Sequence, residues 1–258
     1  MKKTAIVTGA YGVIGRAISE MMAEAGYRLI LAGRDGRKMQ EVADEIKSST
    51  REQDIISFGV DLSRREEIDA FAKKIPMDPD VLINNAATTP IERLENPDGI
   101  EMQWATNVLG YVWMMEAIAP RMKPGSRIVN VASFYAGGLD LEDPEFKVRP
   151  YDNDLAYRQS KQANRMLSTW YAGLLKSKGI TVNSCHPGEI SSKLSNNLGF
   201  SFPDPPRKGA DTPVWLATSD EVEGVTGKYY QYRVERSCQC SDDDRANGKL
   251  FDLCKQYG

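Results

Sequence analysis

Short runs of apolar and β-branched residues alternate along the chain with longer segments whose apolar residues recur at helical spacing. The runs that we interpret as strands cover residues 4–8, 28–32, 55–60, 81–84, 127–131, 180–185 and 228–232. Each of the first six precedes a segment long enough for a crossover helix or loop, an order typical of a parallel, doubly wound α/β sheet. Neither an internal repeat nor a Gly/Ser linker divides the chain, so residues 1–258 are predicted to form one domain.

The longest helical pattern covers residues 152–178 and stops before Gly179, a residue that suits a helix C-cap. Its apolar positions are Ala163, Leu167, Trp170, Tyr171 and Leu174. Because residues four apart share one helix face, the Tyr157 hydroxyl and the Lys161 ammonium can serve one site. A free phenol titrates near pH ~10, and a fixed neighbouring cation lowers that pKa, which would make Tyr157 a usable proton donor and acceptor. By itself, Tyr-x-x-x-Lys is also a common accident of helical sequence.

The first predicted strand runs into a glycine-rich turn and then into a helix that we expect to end at Ala25. Glycines in such a turn permit a tight bend, and the helix N-terminus offers unpaired N–H groups to a pyrophosphate. A plain turn between a strand and a helix would contain the same glycines. The candidate cofactor-binding residues here are Gly9, Tyr11, Gly12, Val13, Ile14 and Gly15.

The second strand ends in Leu31-Ala32-Gly33-Arg34-Asp35. An acid at this point would bind the ribose 2′-hydroxyl of NAD, whereas an arginine would accommodate the 2′-phosphate of NADP. Gly33 stands where the acid is expected and Arg34 follows it, so we favour NADP(H) over NAD(H), with Arg34 as the phosphate partner. In the alternative, Arg34 is a solvated charge and Asp35 turns inward to bind NAD.

The third and fourth strands also end in candidate cofactor residues. Asp61, followed by Leu62, would accept a hydrogen bond from an adenine amino group or would belong to the turn only. Asn84 and Ala86, in the phrase Asn84-Asn85-Ala86-Ala87, suit a backbone that passes close to a ligand, and they equally suit a tight core turn.

Further motifs follow in a fixed order, and they include Asn107, Ser133, Tyr157 with Lys161, and Pro187-Gly188. In order and spacing, the chain resembles the short-chain dehydrogenase/reductase family from residue 4 to about residue 230. Phrases at 32–35, 157–161, 186–188 and 223–229 resemble its retinol-dehydrogenase-like branch. The resemblance implies a Rossmann domain with a seven-stranded parallel sheet in the order 3-2-1-4-5-6-7, flanked by helices. It also implies an NADP-dependent oxidoreductase that interconverts a carbonyl (ketone or aldehyde) and an alcohol by hydride transfer.

The same resemblance implies a role for each catalytic candidate. Tyr157 would pass a proton to or from the substrate oxygen, while Lys161 would lower the Tyr157 pKa and hold the nicotinamide ribose. Ser133 would hydrogen-bond the carbonyl oxygen and steady the developing charge. Asn107, on a helix expected to begin at Asn96-Pro97, would hold a water that relays protons to Lys161. The residues that would cover the nicotinamide amide are Pro187, Gly188, Ile190 and Ser192.

One departure from the family pattern leaves other functions open. Gly12 and Val13 give the spacing Thr-Gly-x-x-Gly-x-x-Gly of the extended branch, whereas short members usually have glycine at the position of Val13. A sugar-nucleotide epimerase or dehydratase is therefore one alternative. A catalytically silent NADP-binding sensor is another, although Ser133, Tyr157 and Lys161 are all present.

Composition and charge indicate which classes of partner are not expected. The net charge is −3 with scattered Lys and Arg, and no apolar run approaches the ~18 residues of a membrane helix, so neither nucleic acid nor membrane is expected. Because a strand begins within a few residues of Met1, we expect no signal peptide and a cytoplasmic protein. One histidine and four cysteines make a metal site improbable, and free thiols are expected.

The substrate side is the least readable from sequence. Residues 189–209 contain Phe200, Phe202 and several prolines, and they would form either a lid over an apolar substrate or a disordered connector. His186 is expected to be packed or hydrogen-bonded near the cofactor. Residues 241–257 are predicted to form a last helix capped by Ser241. The apolar run 108–119 would support a homodimer or homotetramer, or would simply be core.

Overall fold

The computed structural model describes residues 2–258 apart from the side chain at position 239. Its strands are β1 Thr4–Thr8, β2 Arg28–Gly33, β3 Ile55–Gly59, β4 Val81–Asn84, β5 Arg127–Val131, β6 Thr181–His186, β7 Tyr229–Gln231 and β8 Val234–Arg236. They form one sheet in the order β3-β2-β1-β4-β5-β6-β7-β8, in which the first seven strands are parallel. The predicted α/β class and strand order are confirmed.

The eighth strand is an addition that the sequence did not predict. The run predicted at 228–232 ends early because Tyr232 and Arg233 adopt positive φ angles of 50° and 60°. Two successive residues in this conformation reverse the chain tightly. The chain then pairs back, and β8 lies antiparallel to β7 at the edge of the sheet.

Helices cover both faces of the sheet. They are α1 Val13–Glu24, α2 Gly36–Ser49, α3 Arg65–Lys74, α4 Gly110–Ile118, α5 Asn153–Leu175, α6 Lys193–Asn197, α7 Pro206–Thr218 and α8 Asp244–Lys255. Alternate residues of a strand point to opposite faces, so Ile6 of β1 packs in one core with α3, α4, α5 and α8. Val7 packs in the other core with α1, α2 and α7. The sheet is therefore wound on both sides.

The long helix α5 forms where the sequence predicts it. Asp152 caps it by accepting a hydrogen bond from the Leu155 backbone N–H at 2.9 Å. A short 3-10 turn follows α5, and Gly179 then adopts the left-handed conformation with φ 67°. The expected C-terminal glycine is thus confirmed, and Tyr157 and Lys161 lie one helical turn apart on α5.

Two predicted helix starts are wrong. Asn96 does not begin the helix that carries Asn107, because its side chain accepts hydrogen bonds from the Asp98 and Ile100 N–H groups and closes a turn. The helix begins at residue 102 and passes through a π-helical turn, Trp104–Leu109, into α4. Ser241 does not cap α8 either, since Asp243 accepts from the Ala246 N–H at 3.0 Å.

The helix α8 packs along α5. Phe251 lies 5.8 Å, between ring centres, from both Trp170 and Tyr171, and Leu250 and Cys254 are buried beneath it. On the same side of the sheet, the apolar run 108–119 is buried in the chain's own core, with Trp113 and Met114 at 2% and 0% exposure. Within residues 2–258, no helix is both long enough and apolar enough to cross a bilayer.

Candidate active site

A cavity of about 740 Å³ lies where the carboxyl ends of β1 to β6 meet. Most of the predicted cofactor residues line it: Gly9, Tyr11, Gly12, Val13, Ile14, Gly15, Arg34, Asp61, Leu62, Ala86, Pro187, Gly188, Ile190 and Ser192. Ser133, Tyr157 and Lys161 line the same cavity, whereas Asn84 and Asn107 do not. In an open α/β sheet, this crevice is where ligands bind.

The glycine turn is shaped by contacts that only glycine permits. Gly9 has a φ of 67°, and a Cβ on Gly15 would lie 2.2 Å from the Gly9 carbonyl oxygen and 2.6 Å from Asn85 Nδ2. Val13, where short family members usually have glycine, begins α1 with a side chain that is 38% exposed. It has no positive φ, so this position does not require glycine and the turn keeps its shape.

The end of β2 presents two cations to the cavity. Arg34 and Lys38 both line it, and the Arg34 side chain forms no hydrogen bond or ion pair with any residue the structure describes. Asp35 lies outside the lining and caps α2 by accepting from the Lys38 N–H at 3.1 Å. That hydrogen bond lowers the pKa of Asp35. Asp35 thus serves as the N-cap of α2, while Arg34 and Lys38 face the cavity.

Of the predicted cofactor residues after β3 and at the end of β4, Asp61 lines the cavity and Asn84 does not. Asp61 lines the cavity, but its Oδ1 also accepts from the N–H and hydroxyl groups of Ser63, so it takes part in the turn in any case. Asn84 points into the core and donates to Asn130 Oδ1 at 2.9 Å. Asn85 lines the cavity in its place and is fixed by its Nδ2 donating to the Thr8 carbonyl at 2.9 Å.

Asn107 is buried behind the cavity. Its Oδ1 accepts from the Thr88 N–H at 2.8 Å, while its Nδ2 donates to the Thr88 carbonyl at 3.0 Å and to the Ser160 hydroxyl at 3.3 Å. The side chain therefore joins the loop after β4 to α5, next to Lys161. Among the described residues, Asn107 forms no hydrogen bond with Ser133, Tyr157 or Lys161.

Burial shifts the pKa values of Tyr157 and Lys161 in opposite directions. Burial raises the pKa of Tyr157 to about 12, and the Ser133 side chain opposes this only in part. Burial also lowers the pKa of Lys161 to about 7. The Lys161 ammonium donates to the Val131 carbonyl at 2.9 Å and lies 5.8 Å from the centre of the Tyr157 ring. The expected lowering of the Tyr157 pKa is therefore not what this structure gives.

Ser133 is oriented by the chain that follows it. Its Oγ accepts a hydrogen bond from the Tyr135 N–H at 3.1 Å, and the residue is 5% exposed on the cavity wall. Because this bond occupies a lone pair, the hydroxyl hydrogen stays available to a ligand oxygen. An alcohol or carbonyl oxygen in this part of the cavity would meet the hydroxyls of both Ser133 and Tyr157.

The family model for short chain dehydrogenase matches residues 3–200. The chain belongs to the short-chain dehydrogenase family. Similar proteins include retinol dehydrogenase 13 of Mus musculus, which is 32% identical over 99% of this chain and 86% of its own length. Retinol dehydrogenase 11 of Homo sapiens is 33% identical over 88% of this chain and 76% of its own. The dehydrogenase is thus in the retinol-dehydrogenase-like branch, and it is an NAD(P)-dependent oxidoreductase.

Solved structures agree with this fold. An uncharacterized protein from Mycobacterium paratuberculosis has a TM-score of 0.84 at 25% identity, over 98% of this chain and 92% of its own. An RhlG/NADP complex from Pseudomonas aeruginosa has a TM-score of 0.72 at 23% identity, over 89% and 94% of the two chains. The second likeness shows the fold alone.

Sequence reasoning missed several cavity residues of this dehydrogenase. They are Gly33, Lys38, Val60, Asn85 and Thr106. A signal existed for Lys38, which is a basic residue one helical turn after Arg34. No signal in the sequence indicates which of Asn84 and Asn85 lines the cavity, because that depends on which residue is the last of β4.

An aromatic wall lines one part of the cavity. Its members are Phe134, Tyr135, Phe200 and Phe202. His186 lies beside them, with its ring centre 4.8 Å from that of Phe134, and both of its ring nitrogens are buried without a partner among the described residues. Of the two expected arrangements, packed or hydrogen-bonded, the structure shows the packed one. Burial lowers its pKa to about 4, so it is neutral at pH 7.

The segment predicted as a lid or connector has a defined structure. The Ser191 hydroxyl donates to the Phe202 carbonyl at 2.8 Å, which folds the segment back on itself. Asn197 Nδ2 donates to the Thr89 carbonyl at 2.9 Å and fastens α6 to the loop after β4. The residues of this segment that line the cavity lie between Glu189 and Phe202, and α7 begins at Pro206.

Proposed function

We propose that this dehydrogenase uses NADP(H) to interconvert an apolar ketone or aldehyde and the corresponding alcohol by hydride transfer. The observation that carries the proposal is that Ser133, Tyr157 and Lys161 line the same cavity as the glycine turn. The aromatic wall favours an apolar substrate. The relatives named retinol dehydrogenase point to the same class, because retinol is an apolar alcohol.

The cavity offers the cofactor a fitting surface. The turn from Gly9 to Gly15 would hold the pyrophosphate. Gly33 lines the cavity and lets Tyr11 and Met39 pack against its backbone, because a Cβ there would lie 3.0 Å and 2.9 Å from their atoms. Pro187, Gly188, Ile190 and Ser192 would cover the nicotinamide. When bound, the nicotinamide supplies the hydride.

The protein supplies the proton. A pKa of about 12 keeps Tyr157 protonated at neutral pH, so it can donate to the oxygen of a carbonyl that is being reduced. Ser133 would donate a hydrogen bond to the same oxygen and stabilise its developing negative charge. Lys161 would hold the nicotinamide ribose. Asn107 would position Lys161 through its hydrogen bonds with Thr88 and Ser160. The water relay through Asn107 stays a prediction.

NADP is favoured by the charges at the end of β2. Arg34 and Lys38 face the cavity, and Asp35, the only acid in that turn, is occupied as the cap of α2. An arginine that has no protein partner can pair with a 2′-phosphate through charge-assisted hydrogen bonds. A ribose hydroxyl alone would give these cations nothing to neutralise.

Titration with NADPH and NADH, followed by fluorescence, tests this assignment in Arg34→Ala. We expect NADPH to bind more weakly by about 1.5–3 kcal/mol and NADH to be almost unaffected. Arg37→Ala is the matched control, since it removes the same charge from a side chain that is 81% exposed and outside the cavity. Equal losses for both cofactors, or an equal loss in the control, would mean that Arg34 does not bind the phosphate.

Steady-state turnover of apolar aldehydes and ketones tests the role of Tyr157. Tyr157→Phe should slow turnover by about 100- to 10,000-fold while NADPH affinity stays nearly unchanged. Tyr171→Phe removes a hydroxyl from the same helix outside the cavity and should keep the wild-type rate. Substantial activity in Tyr157→Phe would reject the proton-transfer role. Cofactor binding by the wild type without turnover of any carbonyl would support the sensor instead.

We also propose that the segment within 189–209 opens and closes over the substrate, and that residues 1–258 act as one catalytic domain. The cytoplasmic location and assembly into a homodimer or homotetramer stay predictions.

A further inference from the structure

Two thiols meet at the edge of the sheet, outside the cavity. Cys238 comes directly before the 3-10 turn that follows β8 and Cys240 lies in it, and their Sγ atoms are 3.0 Å apart. The turn is closed by the Ser241 N–H donating to the Cys238 carbonyl at 2.8 Å. Since an S–S bond measures ~2.05 Å, the sulfurs need to approach by only about 1 Å to become bonded.

Cys238 has the surroundings of a thiolate. The Ser241 hydroxyl donates to its sulfur at 3.0 Å, and Arg165 Nη1 lies 3.7 Å from it. The contact with Cys240, followed by the hydrogen bonds from Ser241 and Arg165, lowers the pKa of Cys238. Cys240 keeps its proton, since the same contact raises its pKa. Low-pKa thiolates are the reactive form of cysteine.

The surroundings of Arg165 support this assignment. The Arg165 side chain is buried, stacks 3.7 Å from the centre of the Tyr229 ring and donates to the Tyr229 hydroxyl and the Ser133 carbonyl. Within residues 2–258, no carboxylate forms an ion pair with it. A buried cation is normally paired. A thiolate at Cys238 would supply a negative charge close to this cation, because its sulfur lies 3.7 Å from Arg165 Nη1.

We propose that Cys238 and Cys240 form a redox-active dithiol, in which Cys238 attacks a hydroperoxide and Cys240 closes the disulfide. In the first step, the Cys238 sulfur forms an S–O bond while the O–O bond breaks. The sulfur is oxidised to a sulfenic acid, and the reduced peroxide takes up a proton and leaves as water or an alcohol. The Cys240 sulfur then attacks that of Cys238, and water leaves with the Cys240 proton as the S–S bond forms.

Exposure is compatible with this reaction. Cys238 keeps 9% of its surface exposed, and Cys240 is half-buried. Cys185 and Cys254 are almost fully buried, and burial raises the pKa of both thiols, so they should be inert. Among the described residues, no group of three or more His, Cys, Asp or Glu side chains could hold a metal.

The test is oxidation of the purified chain by hydrogen peroxide, followed by intact mass and peptide mapping with and without dithiothreitol. The wild type should lose two hydrogen atoms from the peptide that contains both thiols, and dithiothreitol should restore them. Cys240→Ser should stop at a sulfenic acid on Cys238 that dimedone traps. Cys238→Ser should react roughly tenfold or more slowly, and the control Cys254→Ala should behave like the wild type.

The competing outcomes are distinct. A wild-type chain that is oxidised first at Cys185 or Cys254, or that forms no disulfide between residues 238 and 240, would overturn the proposal without any variant being needed. Cys238→Ser reacting as fast as the wild type would also overturn it, because Cys238 would then not be the attacking thiol.

Discussion

At the residue scale, His186 links the cavity wall to the stability of the fold. Its imidazole is 4% exposed and touches the aromatic ring of Phe134. Burial, with a smaller contribution from the charge of Arg165, lowers the pKa of His186 to about 4. The folded state therefore favours the neutral form of His186, and protonation of this residue favours unfolding.

This gives a pH dependence of stability with a defined sign. Above pH 6.5, His186 is neutral in both the folded and the unfolded chain, and its contribution to stability is complete. As the pH falls toward 4, the unfolded chain binds the proton first, so the free energy of unfolding should fall by on the order of 3 kcal/mol. Denaturant titrations of wild type and His186→Asn would measure this. Equal slopes between pH 6.5 and pH 4 would reject the assignment.

The same scale shows what the sequence could predict at the site. Helical spacing was enough to bring Tyr157 and Lys161 to one cavity. The direction of the Tyr157 pKa was not predictable, because it depends on burial by other elements and on the Val131 carbonyl that holds the Lys161 ammonium. Likewise, only the structure shows that Asp35 caps α2 and does not face the cavity.

At the scale of elements, the turn between β1 and α1 has little tolerance for side chains. In Gly15→Ala, the new Cβ would lie 2.2 Å from the backbone oxygen of Gly9, and backbone cannot yield cheaply. We expect the free energy of unfolding to fall by about 1–3 kcal/mol and NADPH to bind more weakly.

Gly173 provides a matched control for that substitution. It lies inside α5, and a Cβ there would meet no atom within 4 Å. Gly173→Ala should raise the free energy of unfolding by about 0.5–1 kcal/mol without changing NADPH affinity. If Gly15→Ala instead bound NADPH like the wild type, the turn would not be the pyrophosphate site.

Helices and strands were predictable where local sequence rules determine them. The predictions failed where a side chain closed a turn or where a turn contained none of the usual residues. The strands and α5 follow from hydrophobic periodicity and a terminal glycine. The hairpin at Tyr232 and Arg233 has none of the usual turn residues, so nothing in the letters marks its positive φ angles. Asn96 was mistaken for a helix start because a turn that its side chain closes has the same local composition.

At the scale of the whole molecule, α8 supports α5 from the side opposite to the sheet. Phe251→Ala should lower the free energy of unfolding by about 2 kcal/mol, because this ring contacts Trp170 and Tyr171. NADPH affinity should not change, since α8 does not line the cavity. Chemical denaturation and fluorescence titration measure the two quantities.

The exposed neighbour Asp252 offers the control, and Asp252→Ala should stay within about 0.5 kcal/mol of the wild type. A similar stability loss in both variants, or none in Phe251→Ala, would mean that the contact between α8 and α5 contributes little.

The hairpin at the end of the sheet also bears on aggregation. A long apolar edge strand can recruit strands from other molecules. Here β8 is three residues long and exposed along its length, and it carries Glu235, which pairs with Lys228, and Arg236. Its charges and shortness make it a poor template for a foreign strand. The turn at Tyr232 and Arg233, which the sequence did not predict, places this short charged strand at the edge of the sheet. It therefore disfavours pairing of that edge with a strand from another molecule.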